Sequence, residues 1–387
     1  MPLKIAIVGS GPAGCMVACN LDKTFDITLF DKNSPLKTLL PTGGGKCNLA
    51  HAEYDFKELA KNYPRGEKFL YSVFSKFGTN ETLDFFEKIG IKTYTRKDNR
   101  IFPTSNSSQD VRDKFLSQLK HCNFKKEQVN LIKKHENKFS IETNKSTYIF
   151  DVVIIATGGK NGYEPLKDLG HTVITPKPSL VGLKTNPNFK QLQGVTIRNC
   201  KITENKNIFI GDILFTDSGI TGPAVFELSS YNARKEIPYD IHIDFLNKDI
   251  DLQELFDKNP HKNLGTLLSE YLPKSAVNTL LDIDLTQKCS NVRANTKELV
   301  YKLLSDYPFK VTGCRKDGET VTCGGISLDE INSKTFESKL IQNLYICGEV
   351  LNVDGLCGGY NLQFCWSSGY LAAETINDNI KNCNKNL

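Results

Sequence analysis

Apolar residues fall along this chain in short bursts, and the spacing within each burst predicts an element. Residues 3–9 (Leu-Lys-Ile-Ala-Ile-Val-Gly) are an apolar, β-branched run of the kind found in buried parallel strands. Residues 12–21 open on Pro12, which a first helical turn tolerates, and predict a helix. Residues 26–31 (Asp-Ile-Thr-Leu-Phe-Asp) predict the next strand, so the chain starts with a βαβ unit. Helical spacing recurs at about 56–61, 67–77 and 79–89, with Gly90 where a helix C-cap is expected. A helix over 108–121 puts Val111, Phe115, Leu116 and Leu119 on one face. Strands near 129–133, 138–143 and 146–150 follow, then an apolar strand at 152–156.

From about 186 the pattern changes. Short strands and Gly turns (Gly194, Gly211, Gly219, Gly222) lead into helical spacing at 251–258, 263–270, 274–282 and 296–305. From about 320 the strand-then-helix style returns, with a strand at 344–346, a helix over 361–377 and an Asn/Lys-rich tail (377–387) that reads as frayed. No period of 20–50 residues repeats, which excludes solenoids and propellers. The pattern predicts an α/β chain. Residues 1–185 and 320–387 form one discontinuous domain, and 186–319 an inserted module, β-rich to about 250 and helical over about 251–310.

Composition narrows the class. The longest apolar runs are strand-sized, short of the roughly 20 residues needed to cross a bilayer, and no basic region precedes a cleavage site at the N-terminus. A cytoplasmic protein without a membrane partner is expected. The twelve Cys include no C-x-x-C pair and the six His no H-x-x-x-H, so no metal site is expected and the thiols read as reduced. The balance of 49 basic and 44 acidic residues gives +5, with Lys spread rather than striped. No nucleic-acid partner is therefore expected. The oligomeric state is not read from the sequence.

Gly changes the picture by placement rather than number. Fifteen of the 28 Gly fall in five clusters, at 9–14, 43–45, 158–162, 211–222 and 355–359. The first cluster, Gly9-Ser10-Gly11-Pro12-Ala13-Gly14, follows a strand and opens a helix, and Asp31 stands 31 − 9 = 22 residues after Gly9. This is the dinucleotide fingerprint. Gly9 permits the turn, Gly11 close approach of backbone to a pyrophosphate, and Gly14 tight helix–strand packing, while Asp31 accepts from ribose hydroxyls. The pyrophosphate would sit on the helix N-terminus. A ribose-binding Asp disfavours a 2′-phosphate, leaving NAD or FAD.

Three further Gly-rich elements suit a cofactor that runs through the protein, as FAD does. In Pro41-Thr42-Gly43-Gly44-Gly45-Lys46-Cys47-Asn48, consecutive Gly expose backbone N–H groups, Lys46 adds charge and Asn48 a two-way hydrogen bonder. Ala156-Thr157-Gly158-Gly159 lets backbone pass close to something bulky. Gly348-Glu349 ends a strand with a carboxylate suited to a ribityl hydroxyl, and Gly358-Gly359 opens a helix whose N-terminus would stabilise negative charge on a reduced flavin.

These motifs, in order, with Thr-Asp-Ser-Gly-Ile-Thr-Gly-Pro (216–223) and Cys-Gly-Gly-Ile (323–326), resemble the bacterial aminoacetone-oxidase-like (BaiN-like) family of FAD-binding flavoproteins over nearly the whole chain. The resemblance implies a glutathione-reductase-like, Rossmann-type FAD domain of three layers (β/β/α), with an inserted β-barrel-like and helical module. It implies that Gly9, Gly11, Pro12, Ala13 and Gly14 hold the pyrophosphate and Asp31, with Lys32 beside it, the ribose. Val129 would contact adenine through its backbone. Gly44, Gly45, Lys46, Cys47 and Asn48 would line the flavin, as would Ala156, Thr157 and Gly158. Gly348 and Glu349 would serve the ribityl side, and Gly359, Asn361 and Leu362 would cap the isoalloxazine. The implied activity is an FAD-dependent oxidoreductase passing a hydride between a small-molecule substrate, or NAD(P)H, and bound FAD. Alternatives are a flavoprotein acting on RNA and a non-catalytic flavin sensor. No second nicotinamide fingerprint is present. Lys46, Asn48 and Tyr360 are the candidates for catalysis, and Cys47 and Cys357 read as inert packing.

Overall fold

The computed structural model describes residues 2–160, 162–247, 250–315 and 321–385, so part of the 158–162 Gly cluster and the end of the predicted module lie outside the described residues. The chain divides into two compact units, Met1–Lys177 with Val321–Leu387, and Pro178–Thr320.

The first unit is built on a five-stranded parallel sheet. Its spatial order is Leu344–Ile346, Val152–Ile155, Lys4–Val8, Asp26–Asp31, Asn123–Lys126. Lys4–Val8 is central, with Ile5 in register with both Ile27 and Val152. Its neighbours cover both edges and other layers cover both faces, so Ile5, Ala6 and Ile7 are fully buried, as the unbroken apolar run requires. A three-stranded antiparallel sheet (Val129–His135, Lys138–Thr143, Thr147–Phe150) packs on it, with Phe30 meeting Tyr148 at 5.4 Å and Phe150 at 5.8 Å. The helix Pro12–Asn20 packs along the C-terminal helix Tyr360–Lys385 and completes a β/β/α arrangement. Trp366, fully buried on that helix, stacks on Phe115 at 5.5 Å and donates through Nε1 to the Leu49 carbonyl.

The second unit is a closed six-stranded antiparallel barrel. Its order is Leu183–Asn186, Gly219–Thr221, Asn207–Phe215, Thr196–Glu204, Tyr239–Asp244, Tyr307–Cys314, and Leu183 opposite Cys314 closes the ring. Ile197, Ile202, Phe209, Ile213, Ile241 and Val311 point inward and form a core with apolar residues of the helices between 252 and 305. The unit begins at Pro178, eight residues before the sequence-derived 186, because 183–185 belong to a barrel strand.

Most helix ends fall within a few residues of their predicted places. The exception is the C-terminal helix, which continues through Lys385 instead of fraying from 377. The polar residues that suggested fraying anchor it: Asn377 donates to the Asn20 carbonyl at 2.8 Å and accepts from the Asp22 N–H at 2.9 Å, and Asn379 donates to the Tyr345 hydroxyl. No helix among the described residues is long and apolar enough to cross a membrane.

Candidate functional site

The site grows from the first turn of the chain. The strand Lys4–Val8 delivers Gly9 at φ +104°, pressed so close to the Ala156 backbone that an added Cβ would lie 2.2 Å from its carbonyl oxygen. A Cβ on Gly14 would lie 2.0 Å from the Gly9 carbonyl oxygen. These two glycines serve the chain's own packing. Gly11 differs: its φ is −75°, and the nearest atom to an added Cβ is Thr38 Oγ1 at 3.6 Å. A Cβ there would make only an ordinary van der Waals contact, so no backbone crowds the start of the helix Pro12–Asn20, where first-turn N–H groups lack intrahelical partners.

Asp31 closes one side of this turn. Its Oδ2 accepts from the Ser10 N–H at 2.9 Å and the Ser10 hydroxyl at 3.0 Å, and its Oδ1 from the Asn33 N–H at 2.8 Å. The carboxylate is fixed across the fingerprint and keeps lone pairs for a sugar. Ser10, a variable position of the motif, is the residue sequence reasoning missed here. Lys32 is exposed. Val129 stays in the antiparallel sheet opposite Thr143, and the nearest tie to Asp31 is the pairing of Asp31 with Lys126. Between them, the buried Glu127 accepts from the Thr143 hydroxyl at 2.7 Å and from the Tyr148 hydroxyl at 3.2 Å.

The other end is assembled from distant segments. Gly43, Gly44 and Gly45 all lie at positive φ, and an added Cβ on Gly44 or Gly45 would meet nothing within 4 Å. Lys46 is exposed. Cys47 is fully buried, and burial pushes its thiol up to about 12 against a hydrogen bond with Thr42. Asn48 Oδ1 and Thr157 Oγ1 are buried without a partner, and Gly158, at φ +78°, has open space beside its Cα. Gly159 instead faces Thr322 and Glu349, and Glu349 Oε1 accepts from the Thr322 N–H at 2.8 Å. Gly348 sits against Ala13, so the strand end carrying Glu349 meets the fingerprint helix.

At the C-terminal helix, Gly359 lies on the Ala50 backbone, and buried Tyr360 stacks on the His51 ring with centroids 4.7 Å apart. Its carbonyl accepts from the Tyr63 hydroxyl at 2.6 Å. The Asn361 amide is taken by its own turn: it accepts from the Gly355 N–H at 2.9 Å and donates to the Gly355 carbonyl at 2.8 Å. Only its backbone N–H, with that of half-buried Leu362, is left to face a ligand. The turn is held from below by the buried Asp354, paired with Arg65 through Nε at 2.5 Å. His51 is the second residue the sequence reading passed over.

The model of the HI0933-like protein Rossmann domain matches residues 3–375. The chain belongs to the HI0933-like family. Like the family, it is an FAD-dependent oxidoreductase. The geometry fits that cofactor: the orphaned Asn48 and Thr157 oxygens and the bare backbone at Gly11, Gly44, Gly45 and Gly158 are what a long, polar, partly planar molecule would complete. Three relatives align with 95–96% of the chain. The ribosomal RNA dihydrouridine synthase of Escherichia coli K12 is 28% identical over 398 residues, 96% of this chain and 97% of that one. The protein of the same name from Haemophilus influenzae is 29% identical over 96% of this chain and 97% of its own. The 3-dehydro-bile acid delta(4,6)-reductase of Clostridium scindens is 28% identical over 95% of this chain and 98% of its own.

Proposed function

We propose that this flavoprotein passes a hydride from reduced FAD to a carbon–carbon double bond conjugated with a carbonyl, that the substrate is a small molecule, and that NAD(P)H is the transient electron donor. The observation that carries this reading is shared by two full-length relatives whose names otherwise differ: a dihydrouridine synthase and a delta(4,6)-reductase both name the saturation of ring double bonds. Bound FAD supplies the reversible two-electron chemistry, and the residues of this chain supply binding and orientation. Gly11, Ala13 and Gly14 present N–H groups to the pyrophosphate, and Pro12, which has no N–H to donate, sets the first helical turn that places it on the helix N-terminus. Asp31, with Lys32 beside it, holds the ribose, and Val129 offers backbone to the adenine. Gly44, Gly45, Lys46, Cys47, Asn48, Ala156, Thr157 and Gly158 line the flavin, with Asn48 accepting from it. Gly348 and Glu349 serve the ribityl chain. The N–H groups after Gly359, those of Asn361 and Leu362 among them, would favour negative charge on a flavin bound there. The cysteines of the fingerprint helix, Cys15 and Cys19, are free thiols, which supports a cytoplasmic setting.

The test is anaerobic. Purified yellow protein is mixed with NADH or NADPH, bleaching of the flavin is followed, and the reduced protein is then offered a cyclic enone, a uridine-containing RNA or oxygen. Bleaching followed by reoxidation with the enone is the expected result. Reoxidation by oxygen alone would sink the reductase reading. A second reading, action on RNA, is favoured by the names of the two ribosomal RNA relatives. It would win if the RNA reoxidised the flavin and the enone did not. A flavin that no donor bleaches would point to a sensor.

A further inference from the structure

We propose that His51 is a positioning residue for the flavin: it pins the Gly358–Gly359 turn, and through it the N-terminus of the C-terminal helix, to the segment that follows the Gly43–Gly45 loop. The proposal rests on the reading that these two segments flank the isoalloxazine. His51 ends the two-residue strand Ala50–His51, which pairs with Arg100 and Ile101. The ladder with Arg100 and Ile101 holds the backbone beneath the ring, and the Thr79 hydroxyl, which donates to the Glu53 carbonyl at 2.6 Å, lies 3.2 Å from the His51 carbonyl. Its Nδ1 lies 3.1 Å from the Gly358 carbonyl oxygen. A carbonyl can only accept, so Nδ1 carries the proton and donates.

The ring then lies over Tyr360, with centroids 4.7 Å apart and planes 21° from parallel. Glycine at 358 is what lets them close: an added Cβ would lie 3.2 Å from Nδ1 and 3.1 Å from the Tyr360 ring. The bond matters because the peptide it holds joins two glycines, both at positive φ, the residues with the widest choice of backbone angles. With the Gly358 carbonyl released, the peptide can rotate and carry the first N–H groups of the helix with it. Those N–H groups stabilise the charge that reduction places on the flavin, so their misalignment disfavours the reduced form.

The experiment compares holoprotein carrying His51→Phe or His51→Asn with the parent. Phe keeps a ring on Tyr360 and removes the donor, whereas Asn places an N–H near the position of Nδ1 and removes the stack. FAD affinity, flavin midpoint potential and thermal unfolding are measured for each. His51→Phe is expected to fold, bind FAD about three- to tenfold more weakly, as the loss of one hydrogen bond implies, and shift the midpoint to more negative potential. His51→Asn is expected to stay within about twofold of the parent in affinity, with the midpoint restored. A folded His51→Phe with unchanged affinity and midpoint overturns the proposal, and so does an Asn variant as impaired as the Phe one. Asn48→Leu separates the underlying reading. If FAD affinity survives loss of that orphaned oxygen, the loop is not at the flavin. If affinity falls there and not in His51→Phe, only the role of His51 is wrong.

Discussion

At the scale of single residues, the fingerprint glycines divide by what their missing Cβ would strike. Gly14 sits against the Gly9 carbonyl, and Gly9 against Ala156. At Gly11 an added Cβ would meet only Thr38 Oγ1, at an ordinary contact distance of 3.6 Å, and φ is an ordinary negative value. Gly11→Val should therefore melt within a few degrees of the parent yet fail to retain FAD, whereas Gly14→Val should lose folded protein altogether. Thermal unfolding beside the absorbance of released flavin distinguishes the two. A Gly11→Val protein that stays yellow would refute the pyrophosphate assignment. The glycines were legible because their spacing follows one mechanical rule. Ser10 and His51 were not, because a hydroxyl aimed at Asp31 and an imidazole aimed at the Gly358 carbonyl are relations between residues 21 and 307 positions apart. A polar residue inside the fingerprint next to a strand-ending Asp was the one available hint.

At the scale of elements, buried polar staples decide where segments end. His171, buried between two partners, donates from Nδ1 to Glu330 at 2.8 Å and meets the Ser338 hydroxyl through Nε2 at 3.0 Å. The order Ser–His–Glu has the form of a nucleophile triad, but Ser338 is buried and its oxygen already accepts the N–H groups of Leu340 and Ile341, each at 3.1 Å. Its proton therefore goes to Nε2, and the arrangement ties the 328–341 segment down instead of presenting a nucleophile. Burial alone would raise the Glu330 carboxyl, but hydrogen bonds from Thr172 and His171 outweigh it and hold the group below its ordinary value. A depressed carboxyl contributes stability that is present above the unfolded value of about 4.3 and is lost as pH falls through the lower folded value. Glu330→Gln should lower unfolding free energy near pH 7 by about 1–3 kcal/mol. The deficit should shrink below about pH 4, where the parent's carboxyl protonates as well. Urea unfolding of both proteins across that range checks the sign, and a deficit that grows on acidification would contradict it.

At the scale of the whole molecule, two separate apolar cores correspond to the two units. The unit Pro178–Thr320 is one continuous stretch of 320 − 178 + 1 = 143 residues, and it closes its sheet into a barrel, leaving no long open edge. Expressed alone, it is expected to unfold cooperatively and to remain colourless, since every residue assigned to FAD lies in the other unit. A stretch that stays unfolded alone would show that it draws its stability from the rest of the chain. The discontinuous unit carries the opposite expectation, because its parallel sheet needs Leu344–Ile346 from the far end of the chain beside Val152–Ile155.

The sequence by itself determined the local pieces: the βαβ start, the strand and helix periods, the change of texture after about 186, and the glycine clusters that mark bare backbone. These are short-range facts, set by side-chain period and by the conformations glycine alone allows. Only the tertiary structure decided which pieces meet. It showed that Gly9 and Gly14 answer to neighbouring backbone while Gly11 does not, and that Asn361 closes on Gly355. It also showed that a polar tail continues a helix because Asn377 finds partners near residue 20, and that His51 joins two glycine loops. Each of these depends on atoms brought together from distant positions, and a hydrogen bond of about 3 Å leaves no trace in a pattern whose period is two or 3.6 residues.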